Sequence, residues 1–104
     1  MPGGKARSMS PRSHAADDKQ WPHATVEDPA ARVVQHIAAS LAVAVEREGL
    51  SIRQIASATG VNRQTIAEVL AGASWPDVQT VVRLEDGLGA ALWPGAKGPG
   101  SSRC

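Results

Sequence analysis

Asn62, Arg63, Gln64 and Thr65 form a run of hydrogen-bonding side chains that opens a segment whose apolar members are Ile66, Val69 and Leu70. On a helix begun by Asn62, residues Arg63, Gln64, Ala67 and Glu68 fall on the face opposite Ile66 and Val69. They sit at the helix end whose first amides have no acceptor within the helix. Donors and acceptors gathered this way make an exposed reading head, suited to recognising a patterned polar surface; the bland reading of the same residues is a solvated helix face. Bond-making chemistry finds no residues to carry it. Ser51 has no histidine or lysine base beside it and is better placed as a helix cap than as a nucleophile. His14, His23 and His36 are scattered, with no cysteine or carboxylate at ligand spacing, so no metal is expected. No phosphate-binding loop, nucleophile elbow or paired-acid motif is present, and Glu85 and Asp86 are expected to face solvent. No enzyme activity and no cofactor are expected.

Presenting such a head requires short helices and a corner. Ser51 and Gln54 can cap each other's amides, the reciprocal box that starts a helix, and Ile52, Ile55 and Ala56 then face inward. This second helix, 51–59, must stop at Gly60, the residue best able to take a left-handed backbone. Asn62 caps the next helix, 62–71, which closes at Gly72. Upstream, Asp28 and Pro29 start a helix of about twenty residues ended by Gly49, with Val34, Ile37, Leu41, Ala44 and Val45 on one face. Downstream, Asp77 caps a fourth, with Val78, Val81, Leu84 and Leu88 as its inner stripe and Gly87 and Gly89 loosening its end. A last half-turn at Ala91, Leu92 and Trp93 would close the core. No segment alternates as a strand does, so the predicted fold is all-α with four to five helices.

Residues 1–27 are rich in Gly, Pro, Ser, Ala and charge without periodicity and read as a flexible, partly basic arm; residues 95–104 read as a disordered tail. The helical domain is predicted over 28–94. All three tryptophans precede proline, at Trp21, Trp75 and Trp93, and mark boundaries. Trp75 is expected to cover the core, while Trp93 with Leu88 and Leu92 suits either a core cover or a dimer patch. The 104 residues carry a formal charge of +1, yet 28–94 holds five basic side chains against seven acidic ones. Bulk charge therefore does not mark a polyanion binder, and any nucleic-acid reading rests on placement. The longest apolar run, Leu41 to Val45, is far too short to span a membrane. One cysteine, Cys104, allows no intramolecular disulfide, and a cytoplasmic location is expected.

The pattern Ala56, three residues, Gly60, Val61, four residues, Ile66, two residues, Val69 resembles the helix-turn-helix of the Cro and lambda-repressor family, also called XRE. The resemblance covers roughly residues 30–94 and includes the following "WPDVQTVVRLEDGLGAALW". Within that family, "SWPDVQTVVRLEDGLGAALWP" resembles the small actinobacterial regulators and phage immunity repressors. It implies a compact lambda-repressor-like DNA-binding domain, with Ala56, Gly60, Val61, Ile66 and Val69 as the structural positions of the motif. It places the third helix in the major groove, with Arg63, Gln64 and Glu68 reading bases and Ser51, Arg53 and Asn62 at the DNA backbone. Arginine would suit guanine and glutamine adenine, while Glu68 would accept from cytosine or repel phosphate. Where relatives often carry a phosphate-gripping glutamine, this chain has Ile52; the Ser51 hydroxyl or amide and the Arg53 charge are the substitutes. Lys5, Arg7 and Arg12 would add attraction from the arm in the minor groove or along the backbone.

Two functions follow. One is a sequence-specific DNA-binding transcriptional regulator, a repressor occupying a double-stranded operator, as a monomer or as a homodimer through the fourth helix and Leu92 to Trp93. The alternative is a protein-interaction module, such as an antitoxin or adaptor, with weak or no DNA binding. The acidic centre and Ile52 favour the second; the corner motif favours the first.

Overall fold

The computed structural model describes residues 9–94, and over them the chain forms four α-helices preceded by two single 3-10 turns. Each helix starts at a short polar side chain that accepts from its first-turn amides, and each is followed by a glycine in left-handed backbone. Helix α1, Pro29–Glu48, is capped by Asp28, whose carboxylate accepts from the Ala31 amide at 2.9 Å. Helix α2, Ile52–Thr59, carries the predicted reciprocal box between Ser51 and Gln54. Helix α3, Arg63–Ala71, is capped by Asn62, and α4, Val78–Leu88, by Asp77. Gly60 has φ 78° and open space where a Cβ would lie, so conformation rather than crowding requires glycine at this corner.

Helix α1 packs on α3, and α2 packs on both α3 and α4. One core joins them: Ile37 and Leu41 from α1, Ile55 from α2, Val61 from the corner, Ile66 and Val69 from α3, Val81 and Leu84 from α4, and Leu92 beyond it. Burying each such aliphatic side chain stabilises by about 1.5–3 kcal/mol, which makes this cluster the main support of a small domain.

Four expectations for the C-terminal half are corrected. Val78 is 63% exposed, so the inner stripe of α4 begins at Val81 and its first turn stands in solvent. Gly87 does not loosen the helix: it lies inside α4, and a Cβ there would fall 2.8 Å from both the Ala58 oxygen and the Thr59 Cα. Its lack of a side chain lets α2 and α4 approach. The half-turn expected at Ala91, Leu92 and Trp93 does not form, which leaves four α-helices among the described residues, within the four to five expected. Glu85, expected in solvent, is half-buried, and its Oε2 accepts from the Leu92 amide at 2.7 Å and the Trp93 amide at 3.1 Å. A carboxylate therefore takes two amides that the non-helical chain would otherwise leave unpaired.

The largest correction concerns the arm. Residues 9–27 are not a loose chain but a strap packed on the helices. Ser10 and Asp17 cap the turns Pro11–His14 and Asp18–Gln20, and Pro11 and Val26 are buried. Ala15 pairs with Val26, the Ala16 amide donates to Thr25 O at 2.9 Å, and the Gln35 side chain of α1 donates to Ala24 O. Low hydrophobicity in this stretch is offset by a few buried apolar groups and by backbone groups satisfied by partners far along the chain. Trp75 is likewise not a core residue: it is 38% exposed and donates its indole N–H to Met9 O at 2.7 Å. The expected tail and the basic residues Lys5 and Arg7 lie outside the described residues. Among those described, no helix is long and apolar enough to cross a membrane.

Candidate nucleic-acid interface

The α2–α3 corner is built so that one side of α3 is fixed and the other bare. Val61 is buried in the turn, and Ile66 and Val69 of α3 are fully buried beneath it. Ala56 is half-buried against the same core, small enough for α3 to approach. Thr59, which nothing in the sequence pattern singles out, stitches the corner: its hydroxyl donates to Ile55 O at 2.7 Å and accepts from the Val61 amide at 3.1 Å. A threonine just before a helix-ending glycine is the only signal that could have pointed to it.

On the bare side, Arg53, Asn62, Arg63 and Gln64 line one open concavity with Ile52 and Ala67. The structure thus brings together most of the polar residues expected there, from the start of α2 and the start of α3. Arg53 and Arg63 are exposed and make no ion pair among the described residues. Gln64 and Glu68 are not independent: Gln64 Nε2 donates to Glu68 Oε2 at 3.1 Å, one turn apart on α3. The second N–H of that amide and its oxygen remain free, which is the donor and acceptor pair an adenine edge requires. Asn62 Oδ1 accepts from the Gln64 amide at 2.7 Å and the Thr65 amide at 3.3 Å, leaving its own NH2 group to face outward from the cap.

Ser51 keeps one of the two donors expected of it, because its capping box is closed. Its amide is occupied by Gln54 Oε1 at 2.8 Å and its Oγ accepts from the Gln54 amide at 3.1 Å, so only the hydroxyl proton is left to donate. The free donors at the start of α2 are instead the backbone amides of Ile52 and Arg53, at the end where the helix dipole favours an anion. Ile52 is therefore less of a departure than its side chain suggests, since its backbone supplies a donor that a polar side chain would otherwise provide. Arg12 does not join this cluster. It sits in the strap, its Nε donating to Asp18 O at 3.1 Å and its amide to Gly72 O at 3.0 Å. Leu92 is fully buried and takes no part in an exposed dimer patch; the apolar side chains α4 does expose are Val78 and Val82, at 63% and 49%.

A family model described as Helix-turn-helix matches residues 41–92, from the second half of α1 through Leu92. No curated protein and no solved structure matches the chain.

Proposed function

The chain belongs to the XRE family of helix-turn-helix proteins, a family of DNA-binding regulators, and on that premise we propose that it is a sequence-specific transcriptional repressor acting in the cytoplasm. The observation that carries this reading is the shared concavity of Arg53, Asn62, Arg63 and Gln64. A phosphate seated at the start of α2 would meet the Ile52 and Arg53 amides and the Arg53 charge, and the Asn62 NH2 group would reach the same strand. That seat fixes the register of α3 in the major groove. Arg63 then presents its fork to guanine N7 and O6, and Gln64, held by Glu68, presents its amide to adenine. Glu68 works twice: it orients Gln64 and sets a negative charge where a misaligned phosphate would be repelled.

The test is selection of bound duplexes from a random library at two salt concentrations, with wild type and Arg63→Ala. The expected result is a defined motif for wild type. Arg63→Ala should stay folded and lose preference at one base pair, worth about 1–3 kcal/mol. The spacing of enriched half-sites tells monomer from dimer, since two-fold sites recur about 34 Å apart. No enriched sequence at low salt from folded protein would overturn the reading and leave the protein-interaction module in its place.

A further inference from the structure

The matched residues begin at 41, yet the segment 9–27 before them reaches the end of α3 through Arg12 and Trp21. The last carbonyls of a helix have no amide to receive, and this segment takes one of those at the end of α3 together with the carbonyl of the glycine that follows it. Trp21 Nε1 donates to Leu70 O at 3.2 Å, across 49 residues of sequence. The Arg12 amide donates to Gly72 O at 3.0 Å. Trp21 also lies directly over Gly72: a Cβ at that glycine would fall 2.7 Å from Trp21 Cζ2 and 2.8 Å from Nε1, and closer still to Cε2. Gly72, with φ 69°, is thus glycine for two reasons, its left-handed backbone and the ring above it. A further bond, from Trp75 Nε1 to Met9 O at 2.7 Å, fastens the start of the segment to the loop after α3.

This matters because α3 is short. It has nine residues, about 13 Å at 1.5 Å per residue, and its only fully buried side chains are Ile66 and Val69 on one face. Those two side chains, with the half-buried Leu70 beside them, hold α3 down from one face and within little more than a turn, which constrains its tilt less than an anchor further along would. A second point of attachment beyond them, at Leu70 and Gly72, fixes the tilt. Bidentate hydrogen bonds at Arg63 and Gln64 tolerate little angular error, so that tilt governs reading at the far end.

We propose that residues 9–27 are a positioning strap for α3 and that Trp21 is its central positioning residue, making discrimination between DNA sequences depend on a side chain at the end of α3 opposite Arg63. The proposal rests on the reading of α3 as the DNA-contacting helix.

The experiment uses the full chain as wild type, Trp21→Ala and Trp21→Phe, well below each melting midpoint. Amide hydrogen exchange is measured through α1 and α3, and affinity is measured for the selected duplex and for a random duplex of the same length. Trp21→Ala should speed exchange at Gly72 and Ala73 by about tenfold, the effect of losing one hydrogen bond and its ring cover, while Ile37 and Leu41 exchange as before. The ratio of selected to random affinity should fall by about tenfold with random-duplex binding unchanged. Trp21→Phe keeps a ring over Gly72 and should recover most of the ratio. A merely stabilising tryptophan would leave the ratio unchanged, because every variant is fully folded at this temperature; an unchanged ratio, or unchanged exchange at Gly72, overturns the proposal. If selection enriches no duplex, the DNA reading fails and the role in discrimination fails with it. The exchange contrast then still decides whether Trp21 holds α3, so the two failures are told apart.

Discussion

Replacing Asn62 by alanine and by aspartate separates the two tasks assigned to it. As a cap, its Oδ1 accepts from the Gln64 and Thr65 amides at 2.7 and 3.3 Å. Alanine removes both bonds, which for an N-cap costs about 1 kcal/mol. In a domain of this size that lowers the melting midpoint by about 4–8 °C. Aspartate keeps the accepting oxygen and adds a charge that the helix dipole favours by about 0.3–1 kcal/mol, so it should melt no lower than wild type. At DNA the order reverses. Aspartate lacks the NH2 donors and adds a negative charge beside Arg53 and Arg63 in the same concavity. A unit charge about 5 Å from a phosphate, at an effective dielectric near 20, contributes about 3 kcal/mol of repulsion before screening. Asn62→Asp should therefore bind the selected duplex at least about tenfold more weakly while being the more stable of the two variants. Thermal melting by circular dichroism and DNA titration by fluorescence anisotropy read the two effects separately. If aspartate melts as low as alanine, the side-chain oxygen is not what starts α3. If aspartate melts like wild type and binds like wild type, Asn62 has no place at the DNA backbone.

Gly87→Ala tests the α2–α4 approach by its sign. An ordinary exposed helical site would gain about 1 kcal/mol from this change; here the new Cβ meets Thr59 Cγ2 at 2.7 Å and Ala58 O at 2.8 Å, so a loss of about 1–3 kcal/mol in chemical denaturation is expected, and a gain would refute the contact. Glu85→Ala leaves the Leu92 and Trp93 amides without their acceptor and should cost on the order of 1–2 kcal/mol, with a red shift of tryptophan emission as Trp93 is released. Glu85→Gln keeps an accepting oxygen and should lose less; equal midpoints for all three proteins would show that the carboxylate does not tether the closing segment. Asp77 gives a pH test: hydrogen bonding from the Thr80 side chain and then its amide, with Arg83 adding a smaller share, holds its carboxyl below the ordinary 3.8. A depressed folded value means that its contribution is complete above the unfolded pKa and vanishes as pH falls through the folded one. The difference in melting midpoint between wild type and Asp77→Ala should therefore shrink as pH drops below 3.8, and a difference that stays constant there would rule out ionisation as its source.

What the sequence displayed were the features made within a few residues of one another. Ser51 with Gln54, Asn62 with Gln64 and Thr65, and the closing glycines at 49, 60 and 72 are satisfied inside one turn, so type and spacing alone predict them. The inner faces of α1 and α3 were equally open to reading because a 3.6-residue period names them before any partner is known. The strap was not. Trp21 meets Leu70 at a separation of 49 residues and Trp75 meets Met9 at 66, and no local pattern encodes either. Glu85 escapes the sequence for a similar reason: an acidic residue beside Asp86 reads as surface, whereas its carboxylate faces two amides seven and eight residues on. In the candidate interface the side chains were identifiable and the backbone was not. Arg63 and Gln64 follow from the corner, whereas the occupied amide of Ser51 and the free amides of Ile52 and Arg53 follow only from how the capping box closes.

The electrostatics explain why the angle of α3 should matter so much. Residues 28–94 carry more acid than base, so attraction to DNA cannot come from the domain as a whole. Of the five arginines in that stretch, Arg53 and Arg63 line one concavity, and neither is paired with a carboxylate among the described residues. The acid on that face, Glu68, is engaged with Gln64. Even counting both as neutralising a phosphate, the salt slope would be only about −2, so affinity would fall roughly tenfold between 50 and 200 mM salt rather than several thousandfold. On the proposed reading, binding to arbitrary DNA is then weak at every salt concentration, and the useful part of the affinity comes from a few aligned hydrogen bonds at base edges. A protein built this way gains selectivity from having little diffuse charge, and it becomes correspondingly sensitive to whatever fixes the helix that carries those bonds. A tryptophan closing over the last turn of α3 is the kind of support such an economy of charge requires.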